Sequence, residues 1–295
     1  MNRRWAGTTY GNGWMHNWLV RMLRCLDVRI LYGFVSVFVI PVCLAVNPSA
    51  SITYRYFRKR HGYGKIKSAF NTYVNHCLFG QAVIDKFAMY AGKKFDIEIE
   101  GYDSYKQLAE QEKGFIQLSA HVGNYEIAGY TLNAKHKRMN VLVFFGEKES
   151  VMNNRQTMFS HTNINMIAIR PDMGHIFEIN EAILNGETVS ISADRLLGSE
   201  KCLTLDFLGG KAEFPYGPFA LSAMHGLDVI AVDVVKSATK KYKIIVSKLS
   251  YDKDANLKHQ IEQLSSAYVK WLQRIVNEYP TQWYNYFEFW CDAND

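Results

Sequence analysis

At 295 residues, 48% hydrophobic and 21% charged, the chain has the composition of a globular protein with a substantial core, which excludes disordered and low-complexity classes. Cys25, Cys43, Cys77, Cys202 and Cys291 are odd in number and lack CxxC or Cys/His spacing, so neither a disulfide framework nor a zinc site is indicated, and the site is expected to face a reducing cytosol. The net charge of +6 is unevenly spread: residues 1 to 70 hold eleven Lys/Arg against Asp27 alone, a balance of +10 that leaves −4 for the remainder.

The first element is the uncharged apolar run from Ile30 to Val46, close to the lower limit of about 17 residues for crossing a bilayer. Cations flank both ends, so the positive-inside rule selects no orientation, and Pro41 suits a helix that dips into one leaflet as well as one that crosses. The run starts too far in, and lacks the small-residue site, for a cleavable signal. A buried core helix has the same composition, but clustered Lys and Arg beside an apolar helix suit anionic headgroups. Residues 1–70 therefore read as a basic membrane-associated segment with an apolar helix at about 30–46, and residues 71–295 as a single α/β domain. Aromatics alternate with cations from Tyr54 to Tyr63, yet no zinc finger, RNP-like strand or helix-turn-helix accompanies them, and a nucleic-acid partner is not expected.

Beyond residue 94 strand-like and helix-like segments alternate. Lys94 to Glu100 alternates apolar and charged residues as a half-buried strand does, and apolar runs follow at 115–120, 140–145, 164–169, 187–193, 227–235 and 241–248. Segments near 124–136, 150–160, 172–185 and 216–226 have helix length, Gly186 stands where a helix stop is expected, and a last helix at 257–278 precedes Pro280 and an aromatic tail, 282–290. The pattern predicts an α/β fold with a mostly parallel mixed sheet flanked by helices, whose ligands gather at the carboxyl ends of the strands.

His121 directly follows such an end, with Glu126 five residues on. Neutral imidazole removes protons near pH 7, and a carboxylate on its other ring nitrogen fixes the tautomer. On a continuous helix residues five apart diverge by about 140°, so the pair meets only if His121 lies in the turn and Glu126 in the first helical turn. Gly123 and Asn124 suit that arrangement: a helix capped near Asn124 is expected to leave free backbone N–H groups beside the imidazole. A partly buried histidine at a strand end fits the same residues. Asp194 and Arg195 follow the strand at 187–193, and the Gly/Pro-rich stretch Phe207–Pro218 reads as a turn that brings backbone donors to a ligand, although a surface ion pair and a plain turn are the bland alternatives. Lys148, Arg170 and the Lys135–Arg138 cluster are candidate anion contacts. No nucleophile elbow, phosphate loop, dinucleotide fingerprint or HExxH is present.

His121-Val122-Gly123-Asn124-Tyr125-Glu126 resembles the HxxxxE/D motif of the lysophospholipid acyltransferase superfamily, and specifically the form in the bacterial lipid A late acyltransferases. Arg170-Pro171-Asp172, Asn185-Gly186-Glu187, Ala193-Asp194, Phe207-Leu208-Gly209 and Pro215-Tyr216-Gly217-Pro218 occur in that family's order, and the apolar N-terminal segment is similar to its membrane anchor. The resemblance implies an inner-membrane enzyme, its site at the cytoplasmic face, that moves a fatty acyl chain from an acyl carrier protein or coenzyme A thioester to a lipid-type acceptor. It implies His121 and Glu126 as the catalytic pair and Gly209, Pro215 and Gly217 among the substrate-binding residues, with Lys148, Arg170, Asp194 and Arg195 beside them. Direct attack on a thioester requires no nucleophilic residue, bound cofactor or metal; backbone donors around Gly123 and Asn124, with Arg195, would meet the oxyanion. Asp194-Arg195 stands where those enzymes carry Asp-Gln, Phe145-Gly146-Glu147-Lys148 replaces a block ending in arginine, and the C-terminus is acidic and aromatic rather than basic. The acceptor is thus open between lipid A or a related glycolipid and an aryl-polyene or flexirubin-like pigment or amino-acid lipid. Hydrolysis, with water as acceptor, is the rival chemistry.

Overall fold

In the computed structural model, which describes residues 13–132, 137–144, 162–170, 174–196 and 201–291, the apolar runs form one seven-stranded sheet. Its strands are β1 (Asp96–Glu100), β2 (Phe115–Ser119), β3 (Met139–Phe144), β4 (Ile164–Ile169), β5 (Thr188–Ser192), β8 (Asp228–Ala238) and β9 (Lys241–Leu249), in the order β1-β9-β8-β2-β5-β3-β4. All pairings are parallel except β8 with β9, which are adjacent in sequence and form an antiparallel hairpin. The mostly parallel mixed sheet expected from the alternation is therefore present. β2 lies near the centre, and all five of its residues are buried because helices cover both faces.

The segment read as a Gly/Pro turn, Phe207–Pro218, holds the turn and second strand of a separate hairpin, β6 (Cys202–Phe207) and β7 (Gly210–Pro215). Its turn uses Leu208 and Gly209, both at positive φ. The glycine-rich turn hid two strands whose inward residues, Phe207 and Phe214, are fully buried.

Helices cover both faces. On one face α8 (His175–Leu184), α9 (Gly217–Met224) and α10 (Leu257–Glu278) pack with Phe207, Phe214, Tyr268, Trp283 and Trp290 against Ile116, Leu118 and Ala231. On the other, α6 (Tyr102–Glu110) and α7 (Glu126–Thr131) pack against Phe115, Ile230 and Val232. Gly186 stops α8 at φ +72°, as its position predicts. The helix expected at 150–160 lies outside the described residues.

The N-terminal part is helical throughout: α1 (Gly13–Cys25), α2 (Val28–Phe34), a π turn (Val35–Val39), α3 (Ile40–Val46), α4 (Ser49–Arg55) with a π turn to Arg60, and α5 (Lys65–Tyr90). α2, the π turn and α3 form one continuous apolar helix of 19 residues, long enough to cross a membrane by length and composition. Asp27 caps it by accepting from Arg29 N–H. The π turn falls just before Pro41, where a regular helix would clash with the pyrrolidine ring. α5 runs through position 70, so the basic segment and the α/β domain share a helix.

Candidate active site

Parallel register builds the site. Ser119 of β2 lies opposite Ser192 of β5, and two residues beyond each come His121 and Asp194. The ladder extends to Ala193 N–H, which donates to Ser119 O at 2.9 Å. The two side chains therefore leave adjacent strands, about 4.8 Å apart, on one level. His121 Nδ1 lies 2.7 Å from Asp194 Oδ1, and His121 backbone N–H donates to Asp194 Oδ2 at 2.9 Å.

Asp194 is 1% exposed. Burial alone would raise its carboxyl, but the charge of and bond from His121, with the Arg195 guanidinium, outweigh it and hold the group down to about 2. An ionised carboxylate only accepts hydrogen bonds, so the Nδ1 proton points to Asp194 and Nε2 is left as the basic nitrogen. Burial and the Arg195 charge depress His121 below its ordinary value, opposed by Asp194, so the ring is neutral at neutral pH. With 17% of its side chain exposed, it is reachable from outside.

Glu126 lies elsewhere in this arrangement. It begins α7, and its carboxylate pairs with Lys86 Nζ at 2.6 Å and accepts from Tyr90 OH at 2.9 Å, both on α5. The expectation that Glu126 orients the imidazole through Nδ1 is thus replaced by Asp194. The intervening turn explains why: Gly123 at φ +59° redirects the chain, and Glu126 faces α5 rather than the neighbouring strand end.

The backbone donors need the second correction. Gly123 N–H donates to Gln282 O at 2.8 Å and Asn124 N–H to Val234 O at 2.9 Å, so both are spent inside the fold rather than turned toward an oxyanion. Asn124 is not the helix cap either; α7 starts at Glu126 after Tyr125, and the Asn124 amide donates to Ala82 O at 3.3 Å. Gly123 is required for a different reason: a Cβ there would stand 1.9 Å from Val234 O, a distance no side chain adopts.

The aromatic tail holds the turn from the other side. Tyr284 N–H donates to His121 O at 2.9 Å, Trp283 Nε1 reaches Asp194 Oδ2 at 3.4 Å, and Arg195 Nη2 donates to Tyr284 O at 2.7 Å. Tyr268 of α10 donates its hydroxyl to Ser119 O. Trp283 and Tyr284 were legible only as an aromatic tail; nothing local in their sequence announces a contact with His121 or Asp194.

The remaining candidates disperse. Arg170 follows β4 at the sheet edge, three strands from β2, and pairs with Glu178 of α8. Gly209 turns the β6–β7 hairpin, Pro215 ends β7 and Gly217 opens α9; the hairpin reaches the site indirectly, through Phe207 packed on Trp283. Lys148 lies outside the described residues. Lys137 is buried and bonded to Glu112 O, Lys113 O and Gly186 O, a structural lysine rather than an anion contact.

Against this geometry stand three comparisons. The chain is similar in structure to the crystal structure of the 1-acyl-sn-glycerophosphate (LPA) acyltransferase, PlsC, from Thermotoga maritima, with 12% identity and a TM-score of 0.39 over 93% of this chain and 100% of that one. No curated protein sequence matches. The family described as bacterial lipid A biosynthesis acyltransferase matches over residues 77–290, a span that includes the whole sheet, His121, Asp194 and the aromatic tail. The chain belongs to the bacterial lipid A biosynthesis acyltransferase family.

Proposed function

We propose that this acyltransferase moves a fatty acyl chain from an acyl carrier protein or coenzyme A thioester to a hydroxyl or amine of a lipid-type acceptor at the cytoplasmic face of the inner membrane, with His121 as general base. The observation that carries this reading is the 2.7 Å contact between His121 Nδ1 and buried Asp194 Oδ1 at the carboxyl end of the central strands. It supports an imidazole whose outer nitrogen accepts a proton and whose resulting charge is met by a carboxylate.

The step balances without further groups. Nε2 takes the acceptor proton as the acceptor oxygen or nitrogen bonds to the thioester carbonyl carbon. The tetrahedral oxyanion collapses, the C–S bond breaks, and the imidazolium returns its proton to the departing thiolate. The products are an ester or amide and a carrier thiol. With Gly123 and Asn124 N–H already bonded, the Arg195 guanidinium is the group assigned to the developing negative charge. A thioester is activated already, so transfer is direct and no acyl group rests on the protein. The acceptor class favoured by the family is lipid A or a related glycolipid.

The test supplies acyl thioesters on both carriers to membranes containing the full chain, with and without lipid extract. Acylated lipid is the expected product, lost by about 10²–10⁴-fold in His121→Ala. Free fatty acid as the only product identifies a hydrolase, and a stable acyl adduct on the protein refutes direct transfer.

A further inference from the structure

β8 is apolar from Val229 to Val235 except at one position: Asp233, fully buried. The mechanism above does not use it. It lies two residues past the β2–β8 pair Leu118–Ala231, opposite the point where β2 ends, and its Oδ1 accepts from Ala120 N–H at 3.0 Å. Ala120 immediately precedes His121. Consecutive N–H groups of the strand exit are thus held by two carboxyls from opposite sides, Ala120 by Asp233 and His121 by Asp194.

We propose that Asp233 is a positioning residue of the active site, fixing the exit of β2 through Ala120 N–H so that the His121 ring meets Asp194. The inference rests on the reading of His121 and Asp194 as the base and its orienter.

Three observations support it. The bond replaces a ladder bond at the place where β2 departs from β8, so without an acceptor there Ala120 N–H would be buried and orphaned. Second, Asp233 Oδ2 has no hydrogen-bond partner among the described residues. A carboxylate so placed would carry an uncompensated buried charge, whereas a protonated carboxyl keeps the acceptor role of Oδ1 and leaves one neutral O–H unpaired, the smaller cost. Third, the groups around it point the same way. Asp194 lies on the β5 side and contributes like charge, Tyr268 of α10 feels both carboxyls, and β9 contributes Ile245 as the paired residue. Burial, reinforced by Asp194, pushes the Asp233 carboxyl well above the ordinary carboxylate range. One acid of the pair is neutral and the other ionised, which leaves Asp194 as the carboxylate that receives Nδ1–H.

The experiment compares Asp233→Asn and Asp233→Ala with wild type and His121→Ala in full-length protein, using the acyl-thioester and lipid-extract assay. Asparagine retains a neutral acceptor, so kcat stays within about threefold and the acid limb of the pH profile is unmoved. Alanine orphans Ala120 N–H; kcat falls by about 10²-fold with KM little changed, and the acid limb moves because the His121–Asp194 contact loosens. A folded Asp233→Ala with wild-type kcat and pH profile overturns the proposal, as does a folded Asp233→Asn as impaired as alanine. His121→Ala separates the two levels: if it is active, the underlying reading fails, whereas if it is inactive beside a normal Asp233→Ala only the positioning role fails. Should alanine not fold, thermal melting of Asp233→Asn decides. In wild type the unfolded chain releases this proton above about pH 4 and the folded state keeps it, so wild type loses stability as pH rises. The advantage of asparagine must therefore grow between acid and neutral pH, and an advantage that shrinks overturns the assignment.

Discussion

At the scale of single residues, the contact with His121 Nδ1 that sequence spacing suggests for Glu126 is made by Asp194, while Glu126 pairs with Lys86 and Tyr90. The distances predict that Asp194→Asn, which invites the wrong imidazole tautomer, lowers kcat by about 10²–10⁴-fold with KM little changed. Glu126→Gln removes the charge that pairs with Lys86 and weakens the bond from Tyr90, so it costs about 1–3 kcal/mol in stability and less than tenfold in kcat. Steady-state kinetics with melting curves distinguish the two; a crippled Glu126→Gln beside a near-normal Asp194→Asn would restore Glu126 as orienter. The pH dependence follows from the same contacts. His121 is depressed below its ordinary value of 6.5 and acts when neutral, so the acid limb of kcat/KM lies below that value. Asp194, held at about 2, contributes stability above its unfolded value of about 3.9 that is lost as pH falls toward 2. His121 was legible because a histidine at a strand end is a local signal. Its partner was not, because Asp194 becomes a neighbour only through the β2–β5 register, which no local pattern encodes. Asp233 did carry a signal, an acid with three apolar residues or more before it and two after it inside the run 227–235, but that run reads as an ordinary strand.

Among the elements, the seven sheet strands and the last helix were legible in the sequence because their patterns are cleanly bounded; Leu257–Glu278 coincides with the expected 257–278. The β6–β7 hairpin was not, since glycine and proline dominate its turn and its end. The π turn before Pro41 lies beyond what hydropathy can show. There Ile40 N–H bonds to Val35 O, so the next acceptor in the wide register, Ser36 O, faces Pro41, which has no N–H. Tyr73 of α5 donates its hydroxyl to that carbonyl at 3.1 Å. Tyr73→Phe should then destabilise the α2–α5 packing by about 1–2 kcal/mol. Pro41→Ala supplies the missing N–H, so the two substitutions should couple: in the alanine background Tyr73→Phe costs nearly nothing. Melting of all four combinations in detergent measures the coupling, and strict additivity refutes this account of the kink.

For the whole molecule, the question left by composition was whether the apolar helix crosses the bilayer. Its contacts argue that it lies along one leaflet. The helix is tied at successive levels to the rest of the fold: Asp27 to Lys240 at 2.8 Å, Tyr32 to Lys236 at 2.9 Å, Ser36 to Tyr73 at 3.1 Å, with Ser49 to His76 at 3.2 Å just beyond its end. Tyr73 and His76 belong to α5, and α5 is itself fixed to the catalytic body by Lys86–Glu126, by Asp85–Lys236 at 2.6 Å, and by Asn75 donating to Thr281 O and Trp283 O. A crossing helix would carry α5 across with it, including Lys65, Lys67, Asp85 and Lys86, at a prohibitive desolvation cost. The opposite side of the helix exposes Ile30, Phe34, Phe38 and Val42, and α1 adds Trp14 and Trp18, an apolar face with the aromatic belt of an interfacial element. Arg21, Arg24 and Arg29 nearby suit anionic headgroups. The site lies under the same support, since Phe79 of α5 packs on Tyr284, whose N–H holds His121 O. Single cysteines placed at positions 26 and 47 in a cysteine-free background should therefore react with an impermeant reagent from the same side of oriented vesicles, and a spin label at position 38 should report shallow immersion. Labelling of the two ends from opposite sides, with position 38 at the bilayer centre, would show instead that the helix spans and that the contacts along α5 are not kept in the membrane.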